Sequence, residues 1–322
     1  MDLSLFLASA VASAVATLLF VPWLIRNLRG TTLVGKDLNK LDRPVVPEMG
    51  GVGVLLGFSV GVTVITVLAT ADTFATVSAY YYVAISASFG AGVVGLLDDM
   101  FHLRQRTKAI LPFVLALPLG AVVFGSGDVY LLGWNIGLAT LIAVPFGVTS
   151  AANAANMLEG YNGLGAGLLS IISVALIGLS LLQGATAGLF LLFPLLGALL
   201  AFLWFNRFPA RVFPGDSMTL FAGACIACAA IISSPPLKTQ GAILFAPMIA
   251  EFVLKARSHF RAENYASAEP DGRLRYEGRT ESITHLLLRG GRFREWEVVG
   301  ILWAVESAIA AGLLLVVGLQ LW

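Results

Sequence analysis

Charge is scarce in this chain: of 322 residues, 12% are Asp, Glu, Lys or Arg, 58% are hydrophobic, and the net charge is +1. With a mean hydropathy of +0.87, that composition excludes a water-soluble globular enzyme, and no nucleic-acid partner is expected. Cysteine is nearly absent, with only Cys225 and Cys228, both in one apolar stretch. Their C-x-x-C spacing suggests a metal or redox pair. No other thiolate and no nearby His completes such a site, so buried packing is expected. The chain also lacks an internal repeat, which weighs against a transporter built from inverted halves. It has no Walker-type glycine loop for nucleotide hydrolysis. It has no alternating apolar and polar segments of barrel type either, which excludes an outer-membrane barrel.

What is present is a series of apolar stretches, each near the 20 residues or so that cross a bilayer. Ten are expected, all helical because hydrocarbon leaves no partner for free backbone groups. They run over residues 3–25, 52–70, 79–97, 109–124, 134–151, 164–182, 187–204, 218–233, 241–253 and 298–321. The ninth is short enough to be tilted or partly interfacial. The expected fold is therefore an all-α, polytopic membrane protein forming one integral domain over residues 1–322. The first span lacks a basic leader region and an A-x-A-like cleavage site, so it reads as a retained anchor. All but one of the twenty Lys and Arg residues fall in odd-numbered linkers, Lys238 being the exception. The positive-inside rule then puts the odd linkers in the cytoplasm and both termini outside. The largest cytoplasmic loop spans residues 255–297.

Chemistry should lie on these cytoplasmic loops, which hold nearly all the polar groups. Asp98 and Asp99 end the third span, where two adjacent carboxylates repel and need compensation. A divalent cation and the bases that follow, Arg104, Arg106 and Lys108, would supply it around a diphosphate. Asp216 opens the eighth span, either as a helix N-cap or as a third carboxylate on the same membrane face. Asn153 and Asn156 share a helix face and offer amide oxygens to a cation and amide donors to phosphate or a nucleobase. Gly160 and Gly163 permit close approach of a flat ligand, and Phe213 either stacks on a base or packs. In the first linker the mixed set Lys36, Asn39 and Glu48 goes beyond a topology signal. Arg257, His259 and Arg261 open the ninth linker as a basic-aromatic cluster suited to phosphate, sugar or anionic lipid.

These motifs, Gly35–Lys40, Pro47-Glu48, Asp98 to Lys108, Asn153–Gly163 and Arg211–Asp216, resemble the polyprenyl-phosphate N-acetylhexosamine-1-phosphate transferases. That family includes the bacterial MraY and WecA enzymes. The likeness is strongest to its eukaryotic and archaeal branch, which uses UDP-GlcNAc and dolichyl phosphate. The resemblance implies Asn156 and Asp216 as magnesium ligands, with manganese able to substitute. It places Asp98 and Asp99 beside the metal and phosphates, and Lys108 on the diphosphate. Asn153 would line the same site, with Gly160, Asn162 and Phe213 around the uracil. The ninth linker departs from the bacterial His-rich signature, and Arg257, His259 and Arg261 align only loosely with the eukaryotic arginines.

The implied activity is transfer of GlcNAc-1-phosphate from UDP-GlcNAc to a membrane polyprenyl phosphate, releasing UMP. That is the first membrane step of lipid-linked oligosaccharide synthesis for N-glycosylation. The resemblance also implies a homodimer. The compact ninth linker favours an archaeal cell membrane over the endoplasmic reticulum. A cation-coupled transporter using Asp98, Asp99 and Asp216 is the alternative from another class. Transport carboxylates belong near the bilayer midplane, whereas these stand at span ends.

Overall fold

The computed structural model describes residues 3–69, 71–127, 129–131 and 134–322. Thr70 of the expected second span lies outside the described residues, as do Asp128, Leu132 and Gly133 of the linker after the fourth. The chain begins with α1 (Leu3–Leu28), then a two-stranded antiparallel hairpin of β1 (Val34–Lys36) and β2 (Val45–Pro47). Next come α2 (Gly51–Leu68), α3 (Ala71–Phe101) and α4 (Gln105–Gly125). A second small hairpin, β3 (Tyr130–Leu131) with β4 (Trp134–Asn135), precedes α5 (Thr140–Leu158). Then follow α6 (Leu164–Leu182), α7 (Leu189–Asn206), α8 (Gly215–Ile232), α9 (Pro235–Leu244) and α10 (Ala246–Ala256). The long ninth linker folds into β5 (Ser267–Ala268), β6 (Arg273–Arg275), α11 (Ile283–Leu288) and β7 (Phe293–Arg294), before α12 (Glu295–Gly318). Its three strands form one antiparallel sheet in the order β5-β6-β7.

Among the described residues nine helices are long and apolar enough to cross a membrane, or ten if α9 and α10 together make one broken span. The protein is a polytopic membrane protein, helical but for these short strands. The strands depart from an all-α chain, and they occur only in connections, where the chain is polar enough to turn. Helices α6 and α7 are 78% buried over their most apolar windows, against 33% for α1, α4 and α12. The first two therefore form the centre and the others the rim. The most extensive helix packing is α3 on α8, followed by α1 against α2 and α7, and α5 against α4 and α8.

Two expected spans are corrected. The ninth, 241–253, is two helices bent by 57° around Phe245. Pro247 explains the break, because its ring and missing N–H interrupt the helix one turn back. The fifth, 134–151, starts later and ends later, since Trp134 and Asn135 pair with Tyr130 and Leu131 as a hairpin. Asn153 and Asn156 therefore sit in the last turns of α5 itself, on the helix the shared face requires. The link between α3 and α4 is likewise short, only His102-Leu103-Arg104, so Asp98 and Asp99 belong to one helix end and Lys108 to the next helix start.

Candidate active site

Four helix termini meet at one place: the ends of α3 and α5 and the starts of α4 and α8. A helix start presents unpaired N–H groups and partial positive charge, so carboxylates gather there. Asp99 illustrates this. Its Oδ1 accepts the Asp216 N–H at 2.7 Å and its Oδ2 accepts the Ser217 N–H at 3.1 Å. One helix thus supplies the N-terminal cap of another. The contact needs bare backbone on both sides. A Cβ on Gly95 would run into the Asp216 carbonyl, and one on Gly215 (φ +67°) would lie 2.5 Å from Asp99 Oδ2.

Asp98, one residue earlier, faces a different set of partners. Its Oδ1 accepts the Leu103 N–H at 2.7 Å, and its Oδ2 pairs with Lys108 Nζ at 3.0 Å. The same ammonium contacts Asp216 Oδ2. Lys108 is only 7% exposed, so its charge is compensated by carboxylates from two helices. Asn156 completes the cluster by donating Nδ2 to Asp216 Oδ1 at 2.6 Å and to Thr219 Oγ1 at 2.9 Å.

Beside this cluster opens a cavity of about 370 Å³, within the size range of small-molecule sites. Of the expected residues, Lys36, Asn39, Glu48, Asp98, Asp99, Asn156, Gly160, Asn162, Phe213 and Asp216 line it. The first and seventh linkers are joined at its rim: the Phe213 N–H donates to the Pro47 carbonyl at 2.8 Å, and the Gly50 N–H donates to the Phe213 carbonyl at 2.9 Å. Asn39 donates to the Gly160 carbonyl at 2.8 Å and keeps its own buried Oδ1 without a partner. Asn162 is held by Asp37, to which its Nδ2 donates at 3.0 Å, and by Glu295, which accepts its N–H at 2.8 Å. Lys40 bridges those two carboxylates, contacting Asp37 and reaching Glu295 at 3.2 Å.

Five expected residues are not in the lining: Lys108, which sits behind it on Asp98 and Asp216, and four that lie apart from the cluster. Asn153 spends its amide on the Thr149 carbonyl one turn back in α5, at 2.9 Å. Arg257, His259 and Arg261 are exposed and do not line the cavity. The chain leaves α10 through His259 and Phe260, both left-handed (φ +54° and +59°). It comes back to the cavity only at Tyr265. Sequence reasoning passed over Asp37, His102, Glu159, Tyr161 and Tyr265 in the lining. Asp37 and Glu159 lie inside motifs that the sequence marks; the signal for Glu159 is a lone carboxylate in the otherwise uncharged run 153–163, and for Asp37 a carboxylate between two lysines.

Burial pushes the Glu159 carboxyl up to about 7, against the pull of the Gly165 and Gly160 N–H groups, and its Oε2 has no partner. Glu48 is raised by burial first and by Asp99 second, with His102 opposing. Burial also raises the Tyr265 hydroxyl, with Glu159 adding to it.

A hard divalent cation fits this donor chemistry. Among the described residues no group of three or more His, Cys, Asp or Glu is arranged around one point. Magnesium does not require one, since it is commonly held by one or two carboxylates with waters and substrate phosphates filling the remaining positions. The Asp98 and Asp216 oxygens already converge on a single positive charge, that of Lys108.

Comparison with known proteins follows the same lines. The model of glycosyl transferase family 4 matches residues 80–234, a stretch that contains Asp98, Asp99, Lys108, Asn156 and Asp216. A Saccharolobus solfataricus protein is 37% identical over 298 residues, covering 89% of each chain. It is named, as a provisional assignment, UDP-N-acetylglucosamine–dolichyl-phosphate N-acetylglucosaminephosphotransferase. A Sulfolobus acidocaldarius protein with the same name is 36% identical over 314 residues, 94% of each chain. A phospho-N-acetylmuramoyl-pentapeptide-transferase from a Geobacillus species is 30% identical over 241 residues, 70% of this chain and 73% of its own. The chain belongs to glycosyl transferase family 4, in agreement with the resemblance carried by its motifs.

Proposed function

We propose that the protein transfers GlcNAc-1-phosphate from UDP-GlcNAc to a membrane polyprenyl phosphate of the dolichyl type, releasing UMP. The observation that carries this is the convergence of Asp98 and Asp216 on the Lys108 ammonium, with Asn156 donating to Asp216, beside a polar cavity that Asp98, Asn156 and Asp216 line. The names of the two archaeal relatives support the donor and acceptor, and support a cell membrane as the location.

In this reaction an acceptor phosphate oxygen forms a bond to the β-phosphorus of the donor, and the bond from that phosphorus to the bridging oxygen of UMP breaks. A phosphate monoester is already ionised near neutral pH, so its attack needs steering more than activation. Lys108 neutralises diphosphate charge, which is where most of the help to phosphoryl transfer comes from. Asp98 orients Lys108 and steers the acceptor phosphate. Asp99 keeps the start of α8, and with it Asp216, in place. Asp216 and Asn156 would hold magnesium, which supplies further neutralisation of the diphosphate when bound. Asn39 Oδ1 and Glu159 Oε2, both unpartnered, offer acceptors to ligand N–H and hydroxyl donors. Phe213 and Tyr265 supply aromatic faces to the same cavity. The cytoplasmic placement of the site and the outward termini rest on the distribution of Lys and Arg.

The test is purified protein in lipid nanodiscs, given labelled UDP-GlcNAc, dolichyl phosphate and magnesium. The expected products are a lipid-linked GlcNAc diphosphate and UMP in equal amounts. Release of UDP instead of UMP would contradict the proposal.

A further inference from the structure

The loop from Glu159 to Gly163 joins α5 to α6 through a few local backbone bonds, from the Glu159 N–H to the Asn156 carbonyl, from the Leu164 N–H to the Tyr161 carbonyl and from the Gly167 N–H to the Gly163 carbonyl. Four of its other backbone groups are held by side chains from distant segments. The Gly160 carbonyl is taken by Asn39, the Asn162 N–H by Glu295 and the Gly163 N–H by Asn206 Oδ1 at 3.1 Å. The remaining hold comes from Asn264, which is 3% exposed. Its Nδ2 donates to the carbonyls of both Met157 and Glu159, each at 2.9 Å. Those are end carbonyls of α5, the helix that carries Asn156, and helix ends leave such groups without internal partners. Lys255 adds its ammonium to the Met157 carbonyl at 2.6 Å, a cation at a helix C-terminus where the dipole favours it.

Two details show that the amide donors matter. Asn264 Oδ1 is buried with no partner, a loss tolerated only because the two N–H bonds and the packing outweigh it. Gly160 (φ +154°) lies so near that a Cβ there would be 3.3 Å from Asn264 Cβ. The backbone of Asn264 is itself fixed, its carbonyl accepting the Tyr161 hydroxyl at 2.6 Å and the Thr284 hydroxyl at 3.1 Å.

We infer that Asn264 is a positioning residue. By capping the end of α5 from the ninth linker, it sets the loop that presents Glu159, Gly160 and Asn162 to the cavity. The inference rests on that cavity being the donor site. It gives the ninth linker a definite part in donor binding, with the Asn264 amide in the role that Arg257, His259 and Arg261 do not fill.

Asn264→Asp tests this, because it keeps the shape while replacing both donors with acceptors that face two carbonyl oxygens. Thr284→Val is the control, removing a bond to the Asn264 backbone without touching the amide. Steady-state kinetics with UDP-GlcNAc and dolichyl phosphate, melting temperature, and amide hydrogen exchange over residues 157–163 are measured for each. Asn264→Asp is expected to raise the donor KM about tenfold or more, leave the acceptor KM unchanged, and speed exchange in the loop. Thr284→Val lowers the melting temperature with the donor KM unchanged. An Asn264→Asp donor KM equal to wild type, or a shift matched by Thr284→Val, overturns the inference. Should wild-type protein transfer nothing from UDP-GlcNAc, the proposed function fails, and unchanged exchange over residues 157–163 in Asn264→Asp would still overturn the clamp.

Discussion

Lys108, in the first turn of α4, carries its charge between Asp98 of α3 and Asp216 of α8. Neither carboxylate is adjacent to it in sequence, and the arrangement exists only because three helix termini meet. Replacing Lys108 with Met leaves two partly buried carboxylates repelling one another and leaves diphosphate charge unopposed. The transfer rate is expected to fall ~10²–10³-fold, as on losing one transition-state donor. The measurement is kcat from labelled UDP-GlcNAc; a fall of less than about threefold would contradict the role.

Asp99 differs from Asp98 in what it holds, and the two should separate experimentally. Asp99→Ala uncaps α8, at a cost of about 0.5–2 kcal/mol for a lost N-cap. It is expected to lower the melting temperature and the rate together. Asp99→Asn keeps one acceptor oxygen and should recover part of both. Asp98→Asn should lower the rate with little change in melting temperature. Equal losses of stability for the Asp98 and Asp99 variants would show that the division is wrong.

Gly95 lets α3 touch the first turn of α8, and a methyl group there would press on the Asp216 carbonyl. Gly95→Ala is expected to destabilise by ~1–3 kcal/mol through overpacking. It should also displace Asp216 and so cost activity beyond the loss of folded protein. Thermal unfolding and activity per folded molecule check both parts.

The Glu159 carboxyl, pushed up to about 7 by burial, makes stability depend on pH. Its folded form holds a proton more tightly than its unfolded form. The stabilisation from that proton is therefore complete below the ordinary carboxylate value of 4.5 and is lost as pH rises through about 7. Wild-type protein should lose melting temperature between pH 5 and pH 8, and Glu159→Gln should lose less across the same window. Identical slopes would place the pH dependence elsewhere.

Much of this cluster could be read from the chain because its polar groups stand out against an apolar background. Asp98, Asp99, Lys108, Asn156 and Asp216 are polar residues at the edges of long hydrophobic runs, and the sign pattern of the linkers grouped them on one face. The capping role of Asp99 was not legible, since it depends on which helix start lies opposite. The same limit applies to the ninth linker. There Arg257, His259 and Arg261 drew attention as charges, while Asn264 makes its contacts through an uncharged side chain. The break at Pro247 and the late end of α5 were hidden because hydropathy marks a span without showing how it bends or where its last turn stops.

The most direct test of the central claim is label transfer from UDP-GlcNAc to dolichyl phosphate by the folded Asp98→Asn, Asp216→Asn double variant, set against wild type. Loss of at least about 10³-fold is expected, because the proposed function has both carboxylates act on one diphosphate. Transfer at the wild-type rate would contradict the account.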